Sequence, residues 1–270
     1  MNRAPTISVI GCGWLGLPLA RRLIQKGWQV KGSTTNSEKQ KKLQAEGIDP
    51  YLVTATTEKL ILSDTDVLKS DICYINIPPR RRLGEVQKRY PKEMYMLLHK
   101  IPEHVRIIFI SSTGVYPDKN QHQEVEIDPK PIKESGKAIL EVEKMVQSRF
   151  SKWTILRMAG LVGPNREPGR WFSGKKNIPY GMNPVNMVHL EDAIEISLKL
   201  LNYKRADRQI YNICCEKHPT KSIFYATQSD KLGLVKPEFR PELGPFKTVD
   251  NEKIKTDLDY EFIYPDPLLF

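Results

Sequence analysis

The sequence predicts an α/β fold with a doubly wound parallel sheet and a smaller C-terminal domain, on three observations. A glycine-rich turn follows the first apolar run, further apolar runs recur along the chain, and amphipathic stretches lie between several of them. Alternating strands and helices are typical of parallel sheets, because the return to a parallel strand needs a long crossover, usually a helix. The later apolar runs read "DPYLVTA", "DICYINIPP", "VRIIFISS", "WTILRMAG" and "QIYNICC".

The composition is that of an ordinary globular protein, with 270 residues of which 40% are hydrophobic and 27% charged. No apolar stretch approaches the roughly 20 residues of a membrane span, and the N-terminus shows no cleavage site. We therefore expect a cytoplasmic protein with no membrane partner. The four cysteines have no metal-ligand spacing, which predicts no metal site and fits a reducing compartment.

The net charge of +10 fits nucleic acid, an anionic ligand or simply a basic surface. Basic residues are scattered over the whole length, with one tight run at Arg80, Arg81 and Arg82 that is either a solvated face or an anion contact. The sequence has no zinc-finger spacing, basic arm or aromatic RNA-binding signature, which argues against nucleic acid as a partner. We expect an anionic small-molecule substrate instead. The sequence leaves open whether the protein forms a homodimer.

The first strand and the glycine turn predict a Rossmann-type dinucleotide site. In "TISVIGCGWLG", Gly11 permits the tight turn, Gly13 lets the backbone approach a pyrophosphate, and Gly16 lets the next helix pack on the strand. The start of that helix then offers free N–H groups to the phosphates. Trp14 and Leu15, which lie between the second and third glycines, complete the predicted pyrophosphate segment.

The end of the second strand favours NADP, with NAD as the alternative cofactor. An enzyme that prefers NAD usually has an acidic residue here to bind the ribose 2'-hydroxyl. The strand "WQVKGSTT" instead ends in Ser33, Thr34 and Thr35, and the first carboxylate is Glu38. Small hydroxyls followed by lysines suit a 2'-phosphate better, although a solvated loop also explains the lysines.

Two further strands should end at the edge of the sheet where ligands bind, since parallel sheets bind ligands at the carboxyl ends of their strands. The predicted residues of this edge are Ser111, Ser112 and Thr113 from "ISST", and Ile77, Pro78 and Pro79 after "YINI".

The order of "GCGWLG", "FISSTGVY", "ILRMAGLVGP", "VNMVHLEDA" and "YNICCE" resembles the extended short-chain dehydrogenase/reductases, the NAD-dependent epimerase/dehydratase family, and among them the atypical members. The resemblance implies a seven-stranded or similar Rossmann domain and a smaller C-terminal domain over the substrate. It places Ser33 to Thr35 around the adenosine ribose. It also aligns Ser112 with the family's catalytic serine or threonine, with Thr113 as the candidate if the register shifts by one.

The family's reactive tyrosine, with a lysine four residues later, has no counterpart in this alignment. The pair needs one helix face, where the lysine lowers the tyrosine pKa. Ser135 and Ile139 occupy the two positions, and none of the eleven tyrosines has a lysine four residues on. Lys137 is two residues along the helix from Ser135, about 200° around the axis, and cannot replace Ile139.

The other notable side chains have mainly structural interpretations. The resemblance places His189 where the family's histidine supports a loop, and Asp192 in the first turn of the following helix, where acidic residues are favoured. Tyr116 is expected to pack.

The loop that follows residue 162 is a candidate anion contact and lies at the predicted boundary between the two domains. The loop "GPNREPGRWFSGK" offers Arg166 and Arg170 to a substrate phosphate or carboxylate, or is an ordinary exposed loop. We place a dinucleotide-binding domain at 1–163 and a smaller substrate-side region at 164–270, with about 187–215 returning to the sheet.

These features predict an NAD(P)-binding oxidoreductase or epimerase/dehydratase-like enzyme that lacks the usual tyrosine and lysine. Its substrate would be an anionic small molecule, sugar- or nucleotide-linked in one version of the hypothesis. The alternative is a non-catalytic NADP-binding sensor or regulatory protein.

Overall fold

The structure is a computed structural model that describes residues 4–125 and 127–270. The chain forms two compact units. Unit 1 comprises Met1–Val115, Lys133–Leu156 and Ser197–Ile210, and unit 2 comprises Tyr116–Ile132, Arg157–Ile196 and Tyr211–Phe270. The boundary predicted near residue 163 stays a prediction.

The strands and helices alternate along much of the chain. The strands are β1 (Thr6–Ile10), β2 (Gln29–Thr34), β3 (Asp49–Ala55), β4 (Leu60–Leu62), β5 (Ile72–Ile75), β6 (Arg106–Ser112), β7 (Gln121–Gln123), β8 (Trp153–Met158), β9 (Gly160–Val162), β10 (Met187–His189), β11 (Gln209–Ile213) and β12 (Lys247–Val249). The α-helices are α1 (Gly16–Gln25), α2 (Ser37–Ala45), α3 (Val86–Leu98), α4 (Glu134–Arg149), α5 (Gly169–Phe172), α6 (Leu190–Asn202), α7 (Lys221–Lys231) and α8 (Glu252–Leu258).

An eight-stranded sheet has the order β11-β8-β6-β5-β1-β2-β3-β4. β1 pairs in parallel with β2 and β5, β2 with β3, and β5 with β6, while β4 joins β3 antiparallel. The strand order therefore reverses beside β1, at the point where α/β sheets bind ligands. The mostly parallel sheet, with helices between its strands, confirms the predicted doubly wound fold class.

The buried pattern explains why these segments fold as they do. All five residues of β1 are buried, as expected for a central parallel strand covered on both faces. In α1 the buried positions are Gly16, Leu19, Ala20 and Leu23, which form one helical stripe.

One predicted helix is shorter in the structure. The stretch at 81–101 predicts a continuous helix, but a short 3-10 turn at Arg81–Leu83 comes first and α3 begins only at Val86. Glu85 has φ 41° and Gly84 has φ 71°, both in the left-handed region, which a right-handed helix cannot include.

Unit 2 contains two small parallel pairs, β9 with β10 and β7 with β12. Its core is aromatic and aliphatic, with Val162, Val185, Met187, Phe224 and Tyr225 at the centre.

The four cysteines are free and buried. Burial raises the pKa of Cys12, Cys73 and Cys214 to about 12, so these thiols stay protonated near neutral pH and pack as small apolar groups. Within residues 4–125 and 127–270, no group of His, Cys, Asp and Glu could hold a metal ion. No helix in the described part of the chain combines the length and apolarity that a bilayer span requires.

Candidate functional site

A cavity of about 220 Å³ in unit 1 lies at the carboxyl ends of β1, β2, β3 and β5. The structure brings seven of the predicted cofactor residues to its wall: Gly11, Gly13, Ser33, Thr34, Thr35, Ile77 and Pro78. The other predicted cofactor residues, Trp14, Leu15, Gly16, Pro79 and Ser111, do not line it.

The three glycines of the turn differ in what surrounds them. Gly11 has φ 108°, and a Cβ there would lie 2.5 Å from the Asn76 carbonyl oxygen. A Cβ on Gly16 would lie 2.2 Å from the Gly11 oxygen. A Cβ on Gly13 would meet no described atom within 4 Å. The fold therefore explains the first and third glycines, whereas Gly13 faces open space of the kind a phosphate would fill.

The start of α1 is also suited to an anion. The helix has no side-chain cap and no acidic residue in its first turn. The positive end of its dipole therefore meets no negative side chain of the helix, which favours an anion there. Within the first turn, the N–H groups of Leu17 and Leu19 already donate to the oxygens of Gly13 and Leu15.

The hydroxyls at the end of β2 mostly bind the protein itself. Ser33 is buried, and its Oγ accepts the Gly11 N–H at 2.9 Å, which ties β2 to the glycine turn. Thr34 Oγ1 accepts the Asn36 N–H at 3.2 Å. Thr35, by contrast, is exposed and lines the cavity. The contacts of Ser33, Thr34 and Thr35 with the adenosine ribose stay predictions.

The cavity carries excess positive charge. Glu93 is its one lining carboxylate among the described residues, and two arginines bind it. Arg89 donates to both Glu93 oxygens at 2.8 Å, and the Arg80 guanidinium lies 3.1 Å from one of them. Lys39 adds a further cation. Arg80 and Lys39 place two positive charges at the wall, and the lining carboxylate of Glu93 is already paired with Arg89. This balance of charge favours an anionic ligand.

Arg89 also fixes the backbone that presents Arg80. Its Nη2 donates to the carbonyl oxygens of Pro79 at 2.7 Å and Arg80 at 3.0 Å. These bonds hold Arg80 at φ 42°, a conformation that non-glycine residues rarely adopt. Arg89 and Glu93 are not among the site residues predicted from the sequence, although their i,i+4 spacing on a helix is typical of an ion pair.

The three hydroxyls of "ISST" are in three different environments, and none lines the 220 Å³ cavity. Ser111 is buried and its Oγ donates to the Glu143 carboxylate. Ser112 is partly exposed, and its Oγ accepts the Gly114 N–H at 3.0 Å. Thr113 is buried in the short turn after β6. Of the two predicted catalytic residues, Ser112 is thus the one that a ligand can reach.

Helix α4 carries Ser135 and Ile139, the two positions that the sequence predicts to correspond to the family's tyrosine and lysine. Ser135, Ile139 and Glu143 are spaced by four residues and share one helix face. Because Glu143 contacts Ser111, this face points toward the end of β6. Ser135 is partly exposed, whereas Ile139 is buried and Lys137 is exposed. None of Ser135, Ile139 and Glu143 is a tyrosine or a lysine.

The structural interpretations of two side chains in unit 2 fit their contacts. Asp192 is fully buried and accepts hydrogen bonds from the Tyr260 hydroxyl at 2.7 Å and from the N–H groups of Ile263 at 2.7 Å and Tyr264 at 3.1 Å. It therefore holds the C-terminal segment. The Tyr116 hydroxyl is buried and donates to Asn212 Oδ1 at 2.9 Å.

The structure separates the two arginines predicted to bind substrate. Arg166 lines a cavity of about 230 Å³ in unit 2, together with His189 and Gln228. Arg170 does not line this cavity; it pairs with Glu167, and its side chain is 61% exposed.

Comparisons with known proteins agree with this description. Residues 6–79 match the model of the NAD binding domain of 6-phosphogluconate dehydrogenase. The fold is similar to that of UDP-glucuronic acid 4-epimerase from Bacillus cereus, solved with UDP-glucuronic acid and NAD, at 18% identity and TM-score 0.77 over 98% of this chain and 96% of that chain. It is also similar to dTDP-glucose 4,6-dehydratase from Bacillus anthracis with NAD, at 17% identity and TM-score 0.76 over 98% and 94%.

The fold is Rossmann-type and similar to that of these solved epimerase and dehydratase structures, and the glycine turn lies within the segment that matches an NAD binding domain. The chain belongs to the family of protein YeeZ of Escherichia coli strain K12, with which it is 39% identical over 272 residues, 97% of each chain. It is also 29% identical to the chloroplast stem-loop binding protein of 41 kDa b from Arabidopsis thaliana, over 78% of this chain and 58% of that protein. The atypical extended subtype stays a prediction.

Proposed function

We propose that the protein is an NADP-dependent oxidoreductase or epimerase/dehydratase-like enzyme that acts on an anionic small molecule. The observation that carries this proposal is the unit 1 cavity, where the open face of Gly13 lies with Arg80 and Lys39. A dinucleotide pyrophosphate fits the space before Gly13, and the excess positive charge fits a 2'-phosphate better than a ribose hydroxyl alone.

A bound nicotinamide would supply hydride transfer. The residues of the chain would bind and orient the two partners of that reaction. Gly13 and the first turn of α1 would bind the pyrophosphate. Ser112 would donate a hydrogen bond to a substrate oxygen; its Oγ accepts the Gly114 N–H, which leaves its own proton free for that bond.

The solved neighbours suggest which substrates to test first. One of them binds UDP-glucuronic acid, and another is a dTDP-glucose dehydratase. We therefore propose sugar nucleotides as the first panel, UDP-glucuronic acid among them, with Arg166 as a contact to a substrate carboxylate such as the one that this molecule carries.

A second candidate function is a sensor that binds NADP without turnover. The observation that favours it is the α4 face on which Ser135 and Ile139 occupy the positions of the family's acid–base pair. Hydrogen bonding from Ser112 alone would give slow chemistry, because a proton still needs a donor or acceptor.

Calorimetry with NADP and NAD tests cofactor binding. Single-turnover assays then separate the two candidates, with oxidised dinucleotide for sugar nucleotides and reduced dinucleotide for simple carbonyl compounds. Tight NADP binding with a change in nicotinamide absorbance supports the enzyme. Tight binding without any absorbance change across the panel supports the sensor. Failure to bind either dinucleotide contradicts both.

A further inference from the structure

Unit 2 has a cavity of its own that the dinucleotide does not need. Its volume is about 230 Å³, and its wall includes the turn after β9, the end of β10 and the last residues of α7. Drug-sized ligands usually occupy roughly 300–1,000 Å³. A molecule of one ring or a short chain would therefore fill this cavity, whereas a sugar nucleotide would enter it with only one of its groups.

Three polar side chains reach the cavity from three different elements. Arg166 comes from the turn after β9, and partial desolvation of its guanidinium lowers its pKa. His189 Nδ1 accepts the Glu191 N–H at 3.3 Å, so the neutral ring carries its proton on Nε2. Gln228 is 5% exposed, and its Nε2 donates to the Pro267 oxygen at 3.1 Å, which leaves its second N–H. All three groups can donate a hydrogen bond.

The charge at the cavity suits a single negative group. Lys231 Nζ donates to the main-chain oxygens of Leu268 and Phe270, so it serves mainly to hold the C-terminal residues. Glu167 is paired with Arg170. A guanidinium has five N–H donors in a planar fork that matches the two oxygens of a carboxylate. Arg166 can therefore bind a ligand carboxylate with some of these donors and keep its contacts within the protein with the others.

The rest of the wall is apolar and well fixed. It includes Val162, Leu232 and Phe270. The Phe270 ring lies 5.5 Å from the His189 ring and 6.4 Å from the Phe224 ring, so several aromatic contacts hold it in place. The body of a ligand would therefore contact hydrocarbon once its charged group is bound.

We propose that this cavity binds a small carboxylate with an apolar body, whose oxygens contact Arg166 and the Nε2–H of His189. The ligand is the anionic part of the substrate or a small substrate in itself. The inference rests on the proposed function only for the claim that the ligand is the substrate, because the cavity lies wholly in unit 2.

Calorimetry on the full chain with benzoate and 2-oxobutyrate, and with inorganic phosphate as a competing anion, tests this site. We expect saturable binding of at least one carboxylate and none of phosphate. Arg166→Gln should weaken the binding at least tenfold. Arg240→Gln removes the same charge from an exposed side chain of unit 2 that pairs with Glu242 at 2.9 Å, and should leave the affinity unchanged.

A second variant separates loss of the site from loss of the fold. Leu232→Trp fills the cavity and should abolish carboxylate binding, with a thermal midpoint close to that of the parent. The proposal is overturned if neither carboxylate binds, if phosphate binds instead, or if both variants bind as the parent does. Titration of NADP into the same samples distinguishes the two proposals. Carboxylate binding without dinucleotide binding contradicts only the proposed function. Dinucleotide binding without carboxylate binding contradicts only this inference.

Discussion

Single residues around the glycine turn differ in whether they contact the rest of the fold or face open space. A side chain on Gly11 or Gly16 would collide with backbone atoms, whereas a side chain on Gly13 would enter empty space. The sequence motif gives all three glycines equal weight. Their surroundings in the structure assign them different roles, so substitutions should separate stability from binding.

We expect Gly13→Val to weaken NADP binding at least tenfold, because its methyl groups would occupy the space proposed for the pyrophosphate. Its thermal midpoint should stay near that of the parent. Gly16→Val should instead lower the midpoint strongly, since its Cβ would lie 2.2 Å from the Gly11 oxygen. Calorimetry and thermal melts measure both effects, and unchanged affinity in Gly13→Val would remove the assignment of this turn to the pyrophosphate.

Arg80 should determine the preference for NADP. We expect Arg80→Met to weaken NADP binding about tenfold and NAD binding less than twofold, because a charge-assisted hydrogen bond contributes about 1.5–3 kcal/mol. Arg89 still pairs with Glu93 in this variant, so the loop should stay folded. Arg82→Met is the matched control, since Arg82 is exposed and outside the cavity wall. Equal losses for both dinucleotides would contradict the assignment.

At the scale of the elements, the contact between β6 and α4 fixes which face of the helix lies toward the end of the strand. Glu143 binds Ser111 and so turns the face with Ser135 and Ile139 toward the end of the strand. The periodicity of the sequence predicts both elements, because it depends on local burial. It does not predict this contact, since Ser111 and Glu143 are 32 residues apart and each looks like an ordinary polar residue.

Restoring the family's pair tests whether the scaffold is competent. We expect Ser135→Tyr with Ile139→Lys to raise turnover with NADPH as the hydride donor and a reactive carbonyl compound as its acceptor, and neither single variant to do so, because the lysine acts through the tyrosine pKa. Ile139 is 7% exposed, so its replacement by lysine should also lower the thermal midpoint. A double variant that binds NADP and stays inert would favour the sensor.

Two histidines of unit 2 should make stability depend on pH. Burial lowers the pKa of His189, against the opposing effect of Asp192 and Glu191, and also lowers the pKa of His218. Below about pH 6.5 the unfolded chain then binds protons more readily than the folded chain, so stability should fall as the pH drops from 7 to 5. Thermal melts across this range measure the fall, and the double variant His189→Gln, His218→Gln should flatten it.

For the whole molecule, local sequence patterns predicted the sheet and the edge at which the unit 1 cavity lies. They did not predict the contacts between segments that are distant in sequence. Apolar runs and glycine spacing depend on neighbours in sequence, which is why β1, α1 and the Gly11–Gly16 turn are readable. Asp192, by contrast, accepts bonds from residues up to 72 positions away. The sequence showed only an acidic residue in the first turn of a helix.

The net charge of +10 should not produce specific binding to RNA, although one relative is named a stem-loop binding protein. Many cations are already paired within the fold, including Arg21 with Glu46 and Arg106 with Asp207. We expect no saturable change in the anisotropy of a labelled stem-loop RNA at 0.15 M salt. Saturable binding that weakens steeply with added salt would contradict this expectation.

The division of the chain into two units has a consequence for biosynthesis. The polypeptide passes from one unit to the other five times, and unit 1 receives its last segment only at Ile210. At roughly 5–20 residues per second, that segment leaves the ribosome about 10–40 s after the first strand is made. Neither unit can therefore be completed as a continuous nascent domain, and a fragment cut at any single peptide bond would lack part of unit 1 or part of unit 2.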